Sequence, residues 1–252
     1  MPKTQKNLER LGKIENQVKQ TSGSGGAPPA GCGAEPHGFG GKKLLIVRIV
    51  CLLIGYAFGC IQTAYIVGKV SKKIDVREHG SGNAGTSNVI RVVGKRAGLI
   101  VFVCDVLKAV VAFVLCAIIF GGGGSFFSDG LPIEPGLYAG FGVILGHNFP
   151  FFLKFRGGKG IASSLGVMLV IDWRVAVIVY GVGFVILLLT KYISLASLIM
   201  ALLFPVIALL FTHGYETIAI TVIMAAMAFF LHRGNIQRLL AGTERKLALG
   251  RK

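Results

Sequence analysis

The sequence predicts an all-α, polytopic membrane protein with about seven transmembrane helices, and three observations carry that prediction. The first is composition. Of 252 residues, 53% are hydrophobic and only 15% charged, where soluble domains carry about 25% charge; mean hydropathy is +0.70. The second is that the apolar residues gather into long blocks near the roughly 20 residues a membrane span requires. The third is that clusters of Lys and Arg fall on alternate connections between those blocks. Disorder, collagen and coiled coil are excluded, because the blocks are long and show no heptads.

The blocks run, in order, over Leu44–Gly68, Leu99–Phe120, Gly136–Phe152, Ile161–Ile171, Val175–Leu189, Ile193–Phe211 and Thr217–Leu231. The fourth is short: either Gly158–Ile161 joins it, or it is a re-entrant or broken helix. Lys69, Lys72, Lys73, Arg77, Arg91, Lys95 and Arg96 follow block one, and Lys154, Arg156 and Lys159 precede block four. Lys191 lies between blocks five and six, and Arg233, Arg238, Arg245 and Lys246 follow block seven. The intervening connection 121–135 carries Asp129 and Glu134 without Lys or Arg. Lys/Arg-rich loops stay in the cytoplasm, so the basic connections share the cytoplasmic side of the membrane and the chain is multi-pass.

Residues 1–43 form a polar, basic extension with seven Lys/Arg and three Glu, and its run GSGGAPPAGCG is expected to be disordered. Leu8, Leu11, Ile14 and Val18 line one weak amphipathic stretch within it. A seven-helix membrane domain is expected over 44–246, and a basic tail over 247–252. The cysteines, Cys32, Cys51, Cys60, Cys104 and Cys116, form no C-x-x-C pair, and four lie inside apolar blocks as small hydrophobes. The net charge of +16 suits anionic lipid and phosphorylated small molecules rather than nucleic acid, because little of it lies on a soluble domain.

The basic loops carry the candidate chemistry. In the first, Ser81-Gly82-Asn83-Ala84-Gly85-Thr86-Ser87-Asn88 mixes glycines with small hydroxyl and amide side chains. Glycines let backbone N–H groups converge on an anion, and a helix from about Val89 would follow. The second loop holds Gly157-Gly158-Lys159-Gly160, bare backbone around one cation, with His147 upstream. Where block seven ends, His232, Asn235 and Arg238 recur at threefold spacing, on one helical face. Ser194 and Ser197 lie just past Lys191. Asp105 and Lys108, three apart inside block two, are ionisable groups in a span; they are functional candidates or a self-neutralising pair. All four loop signals fall on the cytoplasmic side, so the site is expected at the inner membrane–water interface. An organic-phosphate transporter is the rival reading, but it would place its groups near the midplane. A lipid-binding structural protein leaves the glycine loops unexplained.

At these residues the sequence resembles the bacterial acyl-phosphate:glycerol-3-phosphate acyltransferase family. SGNAGTSN with Arg91, GHNFPFFLKFRGGKG and HRGNIQRL match its three motifs in order, over about residues 44–246. Thr86-Ser87 replace the family's usual Ala-Thr and keep a hydroxyl; Gly234 stands where an acidic residue is common. The resemblance implies seven membrane helices and acyl transfer from acyl-phosphate to the sn-1 hydroxyl of glycerol 3-phosphate, giving lysophosphatidic acid for phospholipid biosynthesis. It implies that Ser81, Gly82, Asn83, Gly85, Thr86, Ser87 and Asn88 hold the acyl-phosphate. Arg91, Lys159, Ser197, His232 and Asn235 would serve glycerol 3-phosphate and catalysis, and Gly157 and Gly158 are expected to bind substrate beside Lys159, their bare backbone allowing close approach. Ser81, Lys159 and His232 are the implied catalytic residues. No Ser/His/Asp triad and no metal-ligand spacing is evident, so neither metal nor cofactor is expected. The hydroxyl proton goes to His232 or to a substrate phosphate.

Overall fold

A computed structural model describes residues 41–121, 133–211 and 214–247, and all its regular elements are helical. The extension over 1–40, the acidic stretch around Asp129 and the tail beyond Leu247 lie outside the described residues. In chain order the helices are α1 (Gly41–Gly59), α2 (Thr63–Lys72), α3 (Thr86–Val92), α4 (Lys95–Phe120), α5 (Ile133–Asn148), α6 (Ile161–Ile171), α7 (Trp173–Thr190), α8 (Ile193–Phe211), α9 (Tyr215–Leu231) and α10 (Arg233–Leu240). Short 3-10 turns cover Val76–Glu78 and Phe151–Leu153.

In lipid, helix association draws on close packing rather than on expulsion of water, so small residues mark the interfaces. α1 and α5 show this directly. Gly55 and Gly59 of α1 face Gly142 and Gly146 of α5, a G-x-x-x-G pair on each helix. A Cβ on Gly55 would lie 1.9 Å from Ala139 O, and one on Gly59 2.2 Å from Val143 O. Cβ atoms on Gly142 and Gly146 would each meet a carbonyl of α1 at 2.2 Å. Around this contact Phe113, Leu137, Val143, Val167, Val179 and Phe204 fill a buried core shared by α4 to α8. The outside of the bundle is apolar as well: Ile118 is 62% exposed, Leu189 76% and Leu210 67%, the pattern of helices solvated by acyl chains. The four described cysteines are free; Cys51, Cys60 and Cys116 are buried and Cys104 is half-buried.

The first apolar block is not one helix. It breaks at Cys60–Gln62, and a break at membrane depth must have its freed carbonyls satisfied within the protein. Lys108 Nζ donates to Ile61 O at 3.0 Å and Gly59 O at 3.4 Å. The Gln62 amide donates to Gly59 O, Gly146 O and His147 O at 3.2, 3.2 and 3.0 Å. Lys108 also pairs with Asp105 at 2.7 Å and donates to His147 Nδ1 at 3.0 Å, and Thr63 Oγ1 donates to Asp105 at 3.3 Å. The Asp105/Lys108 pair therefore neutralises itself while tying α1, α2, α4 and α5 together. Replacing one member strands the other, at a cost of about 3–5 kcal/mol. Lys108→Met is expected to lower the thermal midpoint of the detergent-solubilised protein markedly, and an unchanged midpoint would show that the knot carries no load.

Among the described residues, five helical stretches are long and apolar enough to cross a membrane: Gly41–Lys72, Lys95–Phe120, Ile133–Leu153, Trp173–Thr190 and Ile193–Phe211. A sixth appears if α9 and α10, bent by 58°, count as one span. The expected seven includes α6, whose 11 residues rise about 16 Å, half of a hydrocarbon core about 30 Å thick. Gly158–Ile161 does not lengthen it. Gly160, at φ +76°, stands at its N-cap, and Asp172 ends it by capping α7, accepting from Arg174 N–H at 2.8 Å.

Candidate active site

The first basic loop is anchored from below. Val76, Ala84 and Val89 are buried against Ala64 of α2 and Val101 of α4, which fixes both ends of the glycine run. Gly80 and Gly82 take φ of +63° and +73°, a left-handed conformation that L side chains pay to adopt. Asn88 organises the loop's interior: its side-chain oxygen accepts from Ser81 N–H at 2.8 Å, and its amide donates to Val76 O at 2.7 Å and His79 O at 3.0 Å. The expected helix begins at Thr86, three residues early, with Gly85 as N-cap. Thr86 Oγ1 is buried without a hydrogen-bond partner among the described residues.

The second loop turns back through Pro150, the 3-10 turn and two left-handed residues, Lys154 (φ 55°) and Phe155 (φ 57°). Outside glycine that conformation costs about 1 kcal/mol or more per residue. Gly157 and Gly158 then press onto the end of α5: their N–H groups donate to Asn148 O at 3.1 Å and His147 O at 2.9 Å. A Cβ on Gly158 would sit 1.9 Å from His147 Nε2 and 2.8 Å from Ala84 O. The two loops also join directly, Ala84 N–H to Gly157 O at 3.4 Å. This seating presents Lys159, whose Nζ donates to Asn235 Oδ1. Burial, with Arg238 and Arg91 nearby and Glu244 opposing them, lowers the Lys159 pKa to about 8.

His232 sits at the corner between α9 and α10, not inside one helix as its spacing suggested. It is buried, its Nδ1–H donates to Ala228 O at 2.8 Å, and Nε2 is left as the acceptor. Burial first, then the neighbouring Lys159 cation, push its pKa down to about 4, so the ring is neutral at physiological pH. Ser197 Oγ donates to Ile193 O at 2.8 Å within α8.

One carboxylate escaped the sequence reading. Glu244 accepts from Ser194 Oγ at 3.0 Å, Asn235 Nδ2 at 2.8 Å and Arg238 Nε at 2.7 Å. Burial would raise its pKa, but those hydrogen bonds outweigh it and hold the carboxyl below its ordinary range. The strap around it is fastened by Leu247 N–H to Lys191 O at 2.7 Å and Arg245 Nη1 to Gly80 O at 3.3 Å. A lone Glu in a basic tail gives no periodic signal; its only mark was being the single acidic residue after block seven.

All four connections open onto one cavity of about 900 Å³. Its lining includes Ser81, Gly82, Asn83, Gly85, Thr86, Ser87, Asn88, Arg91, Lys159, Ser197, His232 and Asn235. Gly157 and Gly158 do not line it; they pack behind, beneath Lys159. Glu244, Arg238 and Arg245 join the polar rim, while Asp105 and His147 reach its floor. The other arm is apolar. From α7 it takes Tyr180, Gly183, Phe184 and Leu187, and from α8 Ile193, Ala196 and Met200; the α7 set follows i, i+3, i+4, i+7, one helical face. The cavity thus joins a cationic, hydrogen-bonding mouth to an apolar trough bordered by Phe184, 58% exposed on the bundle's outside.

The chain is similar in sequence and fold to known proteins. Residues 49–242 match the family described as glycerol-3-phosphate acyltransferase. A glycerol-3-phosphate acyltransferase of Thermoanaerobacter pseudethanolicus is 42% identical over 199 residues, covering 79% of this chain and 95% of the relative. One from Alkaliphilus metalliredigens is 38% identical over 207 residues, covering 82% and 98%. Among solved structures, the glycerol 3-phosphate form of PlsY (YgiH), an integral membrane glycerol 3-phosphate acyltransferase, superposes with a TM-score of 0.69 at 31% identity, covering 81% of this chain and 95% of that one. Its lysophosphatidic acid form matches at 30% identity with the same score. By motif order, by helical architecture and by identity along most of its length, this chain belongs to the glycerol-3-phosphate acyltransferase family.

Proposed function

We propose that the protein transfers an acyl group from acyl-phosphate to the sn-1 hydroxyl of glycerol 3-phosphate, at the cytoplasmic face of a bacterial inner membrane. The observation that carries this reading is the single cavity in which a cationic, hydroxyl-rich mouth meets an apolar arm. A water-soluble phosphate ester and a fatty chain need those two surroundings side by side. A transporter would need binding groups at mid-depth, but there Asp105 and Lys108 are committed to each other and to the helix break.

Both substrates carry phosphate groups; a phosphate monoester bears about −1.5 to −2 near neutral pH. Holding them together requires intervening cations, which Arg91, Lys159, Arg238 and Arg245 supply. The acyl-phosphate lies with its phosphate over Ser81–Asn88, taking N–H donors of the glycine run and the free Thr86 hydroxyl. Its chain runs along the α7–α8 arm. Glycerol 3-phosphate presents its phosphate to Lys159 and Arg91, with Ser197 and Asn235 beside it.

The glycerol hydroxyl oxygen then attacks the carbonyl carbon of the mixed anhydride. The new ester C–O bond forms, the bond from acyl carbon to phosphate oxygen breaks, and inorganic phosphate leaves with the electron pair. His232 accepts the hydroxyl hydrogen bond through Nε2 and orients it. An imidazole titrating near 4 retains a proton poorly, so the proton ends on the departing phosphate, whose second pKa is about 6. Because the anhydride already has a good leaving group, catalysis here is positioning and electrostatic stabilisation, and no acyl-enzyme forms.

The test is direct. Purified protein given palmitoyl phosphate and radiolabelled glycerol 3-phosphate is expected to form labelled lysophosphatidic acid and release phosphate stoichiometrically. Product formed only when acyl-CoA or acyl-carrier protein replaces palmitoyl phosphate would refute the donor assignment. A labelled acyl-enzyme trapped on quenching would refute direct transfer.

A further inference from the structure

The second loop carries Lys159 on a segment with little packing of its own. Phe151, Phe152 and Phe155 are 63%, 51% and 62% exposed, and two consecutive non-glycine residues, Lys154 and Phe155, are left-handed. Such a turn needs something outside itself to hold it. On one side the ends of α5 do so, through Gly157 N–H to Asn148 O and Gly158 N–H to His147 O. On the other side stands Arg77, from the 3-10 turn that precedes the first loop.

Arg77 uses its guanidinium as a three-way staple. Nε and Nη2 form a fork onto Asp75, at 3.0 Å to Oδ1 and 2.6 Å to Oδ2. Its remaining Nη1 donates to Leu153 O at 3.0 Å and Arg156 O at 3.3 Å, the carbonyls flanking the left-handed pair. The guanidinium carbon lies 5.3 Å from the Tyr65 ring centroid, which fixes its plane from α2. Asp75 is itself set by accepting the Arg77 N–H at 2.9 Å. Arg77 is absent from the cavity lining, so it touches neither substrate position.

We propose that Arg77, locked by Asp75, is a positioning residue that holds the second loop in register with the first and so places Lys159 for the glycerol 3-phosphate phosphate. This rests on the assignment of Lys159 to that phosphate. Spanning two carbonyls while forking onto a carboxylate requires a planar set of donors; a lysine ammonium supplies charge without that reach. Misplacing a binding cation by about 1 Å costs up to about a hundredfold. The loss should fall on the substrate that Lys159 serves, because the acyl-phosphate loop has its own anchor in Asn88.

The experiment uses the full chain in detergent, with Arg77→Lys, Asp75→Asn and the double variant. Arg77→Lys is expected to raise the KM for glycerol 3-phosphate at least about tenfold, with the KM for palmitoyl phosphate within about twofold of the parent. Hydrogen exchange at the Gly157 and Gly158 amides is expected to quicken, a readout independent of turnover. Because the two residues act as a unit, the double variant should be no worse than the worse single one. The proposal is overturned if both KM values rise together, if only kcat falls, or if amide exchange in this loop is unchanged. A parent protein inactive with palmitoyl phosphate would instead refute the donor assignment, and the amide exchange would still decide the role of Arg77.

Discussion

Replacing Lys159 with alanine is expected to lower kcat/KM for glycerol 3-phosphate by about 10²–10³-fold, the loss typical of removing one preorganised charge-stabilising donor, while the protein still inserts and folds. Among the described residues the side chain is partly buried and hydrogen-bonded to the neutral amide of Asn235, so its removal leaves no bonded charge behind. Its environment also sets a pH dependence. The ammonium form is the one that binds, and burial brings its pKa down to about 8. The kcat/KM profile, which reports the free enzyme, should therefore fall as pH rises through about 8. It should also fall on the acid side, below the second phosphate pKa of about 6. Lys159→Arg keeps its charge at alkaline pH, so whatever activity it retains should lose the alkaline limb. Near-parental turnover in Lys159→Ala, or an alkaline limb unmoved in Lys159→Arg, would remove Lys159 from the site.

The largest expected structural effect lies at the α1–α5 contact. Gly59→Leu would put a Cβ 2.2 Å from Val143 O and 2.9 Å from Gly146 Cα. Both are backbone atoms, so no side chain can swing aside and the helices must separate. Overpacking usually costs about 1–3 kcal/mol and sometimes more; against rigid backbone the upper end is expected. Separation would also pull apart the carbonyls that Gln62 and Lys108 bridge and loosen the end of α5 that seats the Lys159 loop. The expected outcome is little folded protein after extraction, read by fluorescence-detected size exclusion. Gly181→Leu is the control, since a Cβ there meets nothing within 4 Å. Equal yields of the two variants would mean that the glycine contact is not what holds these helices.

Much of this molecule was legible in its residues, and the illegible part has physical causes. Long apolar runs declare themselves because lipid leaves a span no other composition, and the alternation of basic loops sets which connections share a side. The glycine loops and the His232/Asn235/Arg238 spacing stood out as candidates because phosphate chemistry uses few residue types, and residues of both line the one cavity. What sequence spacing missed are events settled in three dimensions. The break at Cys60–Gln62 lies inside an unbroken apolar run, and the Gln62 amide together with Lys108, more than forty residues away, makes it tolerable. Gly157 and Gly158 looked like ligand-facing backbone, yet their lack of a Cβ serves the approach to His147. The bend of 58° between α9 and α10 at His232 is one that periodicity extends straight through. Glu244 and Arg77 act on partners in other connections, and no local pattern in their own segments announces that.

Sidedness tests the central claim most directly. After replacement of the native cysteines, single cysteines at Asn83 and Asn235 can be probed with a membrane-impermeant thiol reagent in spheroplasts and in inverted vesicles. If one pocket faces the cytosol, both positions will be labelled only in inverted vesicles, and glycerol 3-phosphate will slow the labelling of Asn235→Cys. Labelling of the two positions from opposite faces would contradict the account.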